Sequence, residues 1–155
     1  TDKPEAIFSG TKEVTEAHRF DEAKLASWME GHVEGYAGPL EVRQFKGGQS
    51  NPTYELTTPD HAYVLRRKPP GVLLPSAHAV DREFTVISAL SAQGFPVARP
   101  YALCTDDAVI GSMFYVMDKV EGMAIAPDGT VHVATDNDGV DDSSGETLYW
   151  TFKLQ

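Results

Sequence analysis

Residues 45–51 read FKGGQSN, two adjacent glycines followed by Gln, Ser and Asn, set between two runs that alternate apolar and polar side chains. Such a stretch leaves main-chain N–H groups uncovered, as a phosphate needs if it is to approach the backbone closely. Further along, YVLRR (63–67) offers a cation at Arg66 or Arg67, and DREF (81–84) offers Glu83, a carboxylate able to pair with it. YVMDKVEG (115–122) passes from apolar to polar and suits an adenine edge meeting main-chain groups. A loop for phosphates, a cation, a carboxylate to hold the cation and an apolar slot are the parts that nucleotide binding requires. Each has a plainer reading alone: Gly-Gly between strands is a hairpin turn, and Arg on a strand with Glu on a helix is a surface ion pair. The order and spacing of all four carry the nucleotide reading.

The elements that must position these residues follow from periodicity. RFDEAKLASWMEGHVEGYAG (19–38) places Leu25, Trp28, Met29, His32 and Val33 at three- and four-residue spacing, a helical stripe, with Asp21 as its N-cap and Gly35, Gly38 and Pro39 ending it. LEVRQFK, TYELTT and YVLRRK read as an antiparallel three-strand meander, with the glycine loop joining the first two strands. AVDREFTVISALSAQG (79–94) is a second helix with Val80, Phe84, Ile87 and Leu90 on one face and Gly94 as its C-terminal cap. YALCTDD and SMFYVMDKVEG are two further strands, joined through DDAVIG. The expectation is an α+β fold, with a five-stranded antiparallel sheet, a helix crossing it and a short β tail.

Composition narrows the function classes. The chain has 155 residues, 41% hydrophobic, and a formal net charge of −10. That balance argues against nucleic acid and against an anionic membrane surface as partners, since both are held by clustered Lys and Arg. A small phosphorylated ligand remains open, because a local site can be positive on an acidic protein. The single cysteine, Cys104, excludes an internal disulfide and CxxC zinc sites, and reads as a core residue on a strand. No signal-peptide pattern and no apolar run of membrane-spanning length is present, so the expected location is cytoplasmic.

The segments FKGGQSNPTYEL, YVLRRKPPG, DREFTVISAL, FPVARPYALC and FYVMDKVEG, in that order, resemble the N-terminal lobe of the aminoglycoside-phosphotransferase-like family of protein-kinase-like folds. They are most similar to the branch found alongside acyl-CoA dehydrogenases. The resemblance covers about residues 20–122. It implies an ATP-binding lobe of a kinase that transfers the γ-phosphate to a small-molecule hydroxyl, with ATP and magnesium as cofactors. By position, it implies that Gly47, Gly48, Gln49, Ser50 and Asn51 form the nucleotide-covering loop. Arg66 stands where many relatives carry the ATP-contacting Lys, Glu83 is its helix partner, and Met117, Asp118, Val120 and Glu121 form the hinge that meets adenine. Arg in place of Lys changes the chemistry, because a guanidinium binds oxyanions as a planar fork and keeps its proton.

The same resemblance exposes what is missing. The family's C-terminal lobe carries a His-containing loop with a hydroxyl-positioning Asp and a second, magnesium-holding Asp. None of His18, His32, His61, His78 and His132 is followed two residues later by Asp, and the pattern stops at VEG, with 33 residues left. No catalytic residue and no metal ligand is assigned. Weak ATP binding and no transfer by this chain alone are expected, since base and metal supply most of the positioning and charge stabilisation. A second chain or a homo-oligomer is expected to cover the exposed hinge side. The alternative is a non-catalytic α+β interaction module.

The expected organisation is a flexible arm (1–19), a kinase-like lobe (20–122) and a β-hairpin and strand tail (123–155). The tail, with its PDGT turn, resembles the closing segment of a phytase-like or esterase-like β-propeller protein, so the chain reads as two fragments joined, by natural fusion, gene truncation or an artificial chimera. Asp136, Asp138, Asp141, Asp142 and Glu146 stand around Gly139 and Gly145. Two readings of them stay open, a calcium loop of non-EF-hand spacing and a solvated acidic turn.

Overall fold

The structure is a computed structural model and describes residues 10–46, 51–71, 79–120, 122–125, 130–135 and 148–153. Six strands form one sheet: β1 (Thr11–Lys12), β2 (Glu41–Phe45), β3 (Thr53–Thr57), β4 (Ala62–Arg67), β5 (Pro100–Cys104) and β6 (Phe114–Asp118). Their order is β1-β2-β3-β4-β6-β5, antiparallel throughout. Among the described residues three α-helices accompany them, α1 (Glu22–His32), α2 (Val80–Ala92) and the short α3 (Asp107–Ile110), with a single 3-10 turn at Glu16–His18. The α+β class stands as expected, but the sheet has six strands and not five.

The extra strand comes from the segment read as a flexible arm. Thr11 and Lys12 pair with Phe45 and Gln44 of β2. Side chains of β2 hold the stretch that follows: Arg43 donates to Thr11 Oγ1 and Glu13 Oε1, both at 2.9 Å, and the Gln44 amide oxygen accepts from Thr15 N at 3.1 Å. These partners lie about thirty residues away in sequence, so no local pattern could announce them.

α1 begins where Asp21 accepts from Lys24 N at 3.1 Å. Its i, i+4 pair Leu25 and Met29 is fully buried. Trp28 is only partly buried, with its ring edge-on to Phe114 at 4.8 Å, and the exposed His32 stacks on it at 4.6 Å. The helix stops at His32, well before Gly38. DDAVIG is α3 and not a plain turn: Asp106 caps it by accepting from Ala108 N at 2.9 Å, and Ile110 enters the core.

The two-residue period of the strands sorts side chains onto two faces. Val42, Tyr54, Leu56, Tyr63, Leu65, Phe114 and Val116 join Leu25, Met29 and Val33 of α1 in one buried cluster. The register sets Leu65 opposite both Tyr54 and Val116, keeping that face continuous across β3, β4 and β6. The other face carries Val64, Arg66, Tyr115 and Met117. α2 lies there, against β5 and β6, with Val80 buried and the Phe84 ring 5.8 Å from Tyr115. Gly94 takes φ +78° after α2, and its N–H donates to Ser91 O at 3.0 Å, the left-handed exit that glycine allows cheaply.

The last three strands, β7 (Gly122–Ile125), β8 (Thr130–Thr135) and β9 (Leu148–Lys153), form a separate antiparallel sheet in the order β7-β8-β9. The expected hairpin is β7–β8, and the tail pairs within itself rather than extending the first sheet. No helix among the described residues is long and apolar enough to cross a membrane.

Leu65 has no exposed surface and sits in the buried cluster, opposite Tyr54 and Val116. Leu65→Ala is expected to lower stability by about 2–5 kcal/mol, the cost of lost burial plus a cavity. Phe95→Ala, at a side chain 54% exposed, is expected to change it by less than about 0.5 kcal/mol. Urea unfolding of both variants checks the pair.

Candidate functional site

The two cations of YVLRR separate by strand alternation. Arg67 points to the α1 face, is 2% exposed, and is consumed there: its Nε donates to Ser112 Oγ at 2.9 Å, and its guanidinium lies 5.6 Å from the Phe20 ring centre. Arg66 points to the α2 face and meets Glu83. Its Nη2 lies 3.4 Å from Glu83 Oε1 and its Nε 3.3 Å from Oε2. The Nε–H is buried yet not aimed at that oxygen, so this second contact is ionic rather than a directed hydrogen bond.

Both side chains of this pair are about a third exposed, and an ion pair so placed contributes little alone. Its geometry comes from two neighbours. Asn51 Nδ2 donates to Glu83 Oε1 at 3.2 Å, and the Tyr115 hydroxyl donates to Oε2 at 3.0 Å. Asn51 is 5% exposed and Tyr115 1%. Burial pushes the Tyr115 phenol far above its usual value of 10.0, and the negative charge of Glu83, to which it donates, pushes it further. Tyr115 is thus a fixed proton donor. Glu83 sits in the first turn of α2, and Arg66 pairs with Tyr115 across β4 and β6, so the site is held by one helix and two central strands.

Beside this pair lies a cleft of about 480 Å³, lined by Arg66, Arg82, Glu83, Val86, Ile87, Tyr115 and Met117. Its composition, mainly apolar walls with a few charged groups, is that of a small-molecule site. Of the sequence-derived candidates, Asn51, Arg66, Glu83 and Met117 come together here. Asp118, next after Met117, faces the other way: its Oδ1 accepts from the Tyr101 hydroxyl at 2.6 Å and lies 2.7 Å from His61 Nε2. The Asp118 backbone N–H is also taken, by Arg99 O at 2.9 Å. Val120 is half-buried beyond the end of β6. Gly47, Gly48, Gln49, Ser50 and Glu121 lie outside the described residues, as do His78 and the acidic stretch 136–146.

Four lining residues were not assigned to the site from the sequence, although Ile87 was placed on the apolar face of its helix. Tyr115 stands two before Met117 on one strand, and Val86 and Ile87 stand three and four after Glu83 on one helix. Same-face spacing could have found these three. Arg82 had no such signal.

The sequence pattern described as the phosphotransferase enzyme family matches residues 41–146. That match runs past Gly122, where the sequence reading ends the kinase-like pattern, and takes in most of the segment likened to a propeller. Acyl-CoA dehydrogenase family member 11 of Mus musculus is 42% identical over 153 residues, covering 96% of this chain and 20% of that protein. Its Gallus gallus counterpart is 50% identical over 121 residues, 76% of this chain and 16% of that protein. A crystal structure from Ralstonia eutropha JMP134, assigned to the aminoglycoside phosphotransferases, is 49% identical with a TM-score of 0.60, covering 72% of this chain and 31% of that one. The chain therefore spans about a fifth of the curated relatives' length and about a third of the bacterial protein's.

The raised phenol gives this site a pH signature. Tyr115 keeps its proton in the fold at pH values where the unfolded chain loses it, so its contribution is complete below pH 10.0 and declines as pH rises above that value. Tyr115→Phe is expected to cost about 1 kcal/mol at pH 8 and to lessen the fall in stability between pH 9 and about pH 11. Urea unfolding of variant and parent at both ends of that range measures it.

Proposed function

The chain belongs to the phosphotransferase enzyme family, and from that premise we propose that its six-stranded lobe is the ATP-binding part of a kinase acting on a small-molecule hydroxyl. The observation that carries this reading is the Arg66–Glu83 pair, set in a cleft also lined by Val86, Ile87, Met117, Tyr115 and Arg82. In this reading ATP lies with its phosphates toward Arg66 and its adenine toward Met117 and the strand end beyond it. The guanidinium supplies two in-plane N–H directions to phosphate oxygens. Glu83 keeps Arg66 from folding back over the cleft, and Asn51 and Tyr115 keep Glu83 in place. What this lobe contributes is orientation and a fixed positive charge, the terms on which phosphoryl transfer relies most.

The described residues do not suit magnesium. They contain no cluster of three His, Cys, Asp or Glu side chains, and the one carboxylate lining the cleft has donors on both oxygens. No step is assigned to a metal here. The sequence likewise offers no His-x-Asp pair, so the proposed role for this chain alone is weak nucleotide binding without transfer. A lobe carrying base and metal ligands would complete the reaction.

Calorimetric titration of the 155-residue chain with Mg–ATP tests the proposal. Binding in the micromolar to millimolar range is expected, with Arg66→Ala weakening it about tenfold, ~1.4 kcal/mol. Absence of heat together with an unshifted melting temperature at millimolar ATP would overturn the reading, as would unchanged binding by Arg66→Ala.

A further inference from the structure

We propose that Arg82 is a second phosphate-contacting cation, and that the cleft seats a polyphosphate between it and the free edge of Arg66. The proposal deepens the nucleotide reading and rests on it only for what carries the phosphates.

The case is one of charge balance. The cleft is lined by two guanidiniums and a single carboxylate, Glu83. Glu83 accepts three hydrogen bonds, from Asn51 Nδ2 at 3.2 Å and Arg66 Nη2 at 3.4 Å on Oε1 and from the Tyr115 hydroxyl at 3.0 Å on Oε2, while Arg66 Nε lies 3.3 Å from Oε2 as an ionic contact. That carboxylate is paired with Arg66, and among the described residues no ion pair joins it to Arg82. Among the described residues the Arg82 side chain has no hydrogen bond or ion pair, while its backbone N–H donates to Ala79 O at 3.1 Å.

One surplus positive charge therefore faces a concave, largely apolar surface on a chain of net charge −10. On an acidic chain, an unneutralised guanidinium beside apolar walls raises the local concentration of anions at that spot alone. Guanidiniums favour tetrahedral oxyanions with two acceptors in plane. Val86, Ile87 and Met117 beside them accept an apolar group attached to that anion. Tyr115 cannot substitute for the cation, since its hydroxyl is already donated to Glu83.

The roles of the two arginines then differ. Arg66 is positioned by Glu83 and spends part of its guanidinium there; Arg82 is free to give its whole fork to the ligand. The side chain is exposed in the absence of ligand, so its removal is not expected to harm the fold.

The test titrates the full chain with sodium tripolyphosphate, ATP and adenosine, with citrate as a non-phosphate anion. It compares the parent protein, Arg82→Gln, Arg82→Lys, and Lys24→Gln as a charge-matched change on α1. The expected result is that Arg82→Gln weakens tripolyphosphate and ATP at least fivefold and leaves adenosine and the melting temperature unchanged. Arg82→Lys should recover part of the loss, and Lys24→Gln should lose little. Four results would overturn the inference: no tripolyphosphate binding by the parent, an Arg82→Gln loss no larger than that of Lys24→Gln, a parallel loss of adenosine, or citrate bound as well as tripolyphosphate. Arg82-dependent tripolyphosphate binding with ATP no tighter would keep the anion seat and remove the nucleotide reading instead.

Discussion

One carboxylate organises the site. Glu83 receives Asn51 from the segment before β3, Arg66 from β4 and Tyr115 from β6, and it projects from the first turn of α2. A single acceptor thus joins a helix to the centre of the sheet on the face that the main core does not occupy. The Arg66–Glu83 contact, a third exposed on each side, would be a weak surface pair by itself. Two buried donors convert it into a fixed geometry, because a carboxylate with both oxygens engaged has few orientations left.

The second constraint is the alternation of the strands. Consecutive arginines on β4 receive opposite fates for no reason beyond the two-residue period. Arg67 is pressed into the α1 layer, where it donates to Ser112 and lies over the Phe20 ring, while Arg66 faces the cleft. The same alternation sends Met117 to the cleft and turns the Asp118 carboxylate toward Tyr101 and His61. A strand that must line a ligand site on one side and anchor a core on the other has to divide chemistry in this way.

Charge explains how an acidic chain can belong to a phosphotransferase family. A net charge of −10 describes the whole surface, whereas the cleft alone is lined by two cations and one spoken-for anion. Low-dielectric walls make the local sign count for more than the global one. Family membership extends over residues 41–146, and the relatives are several times longer. The chain spans about a fifth of the first of these relatives and about a third of the bacterial protein.

Most of the architecture was legible in the sequence because it rests on local signals. Periodicity and caps announced α1 from Asp21 and α2 up to Gly94, and alternation announced the strands that became β2–β6, with the order of motifs naming the family. The residue pair Arg66 and Glu83 was legible too, through that order. Three things were decided only by tertiary structure. The sixth strand exists because Arg43 and Gln44 hold a polar segment some thirty residues away. DDAVIG became helical because Asp106 caps it and Ile110 found the core. Asn51, Tyr115 and Arg82 acquired their places around Glu83 through the register of β4 with β6 and the seat of α2. Sequence patterns report what a residue does to its near neighbours, while the shape and charge of a cleft belong to residues that meet only when the chain has folded.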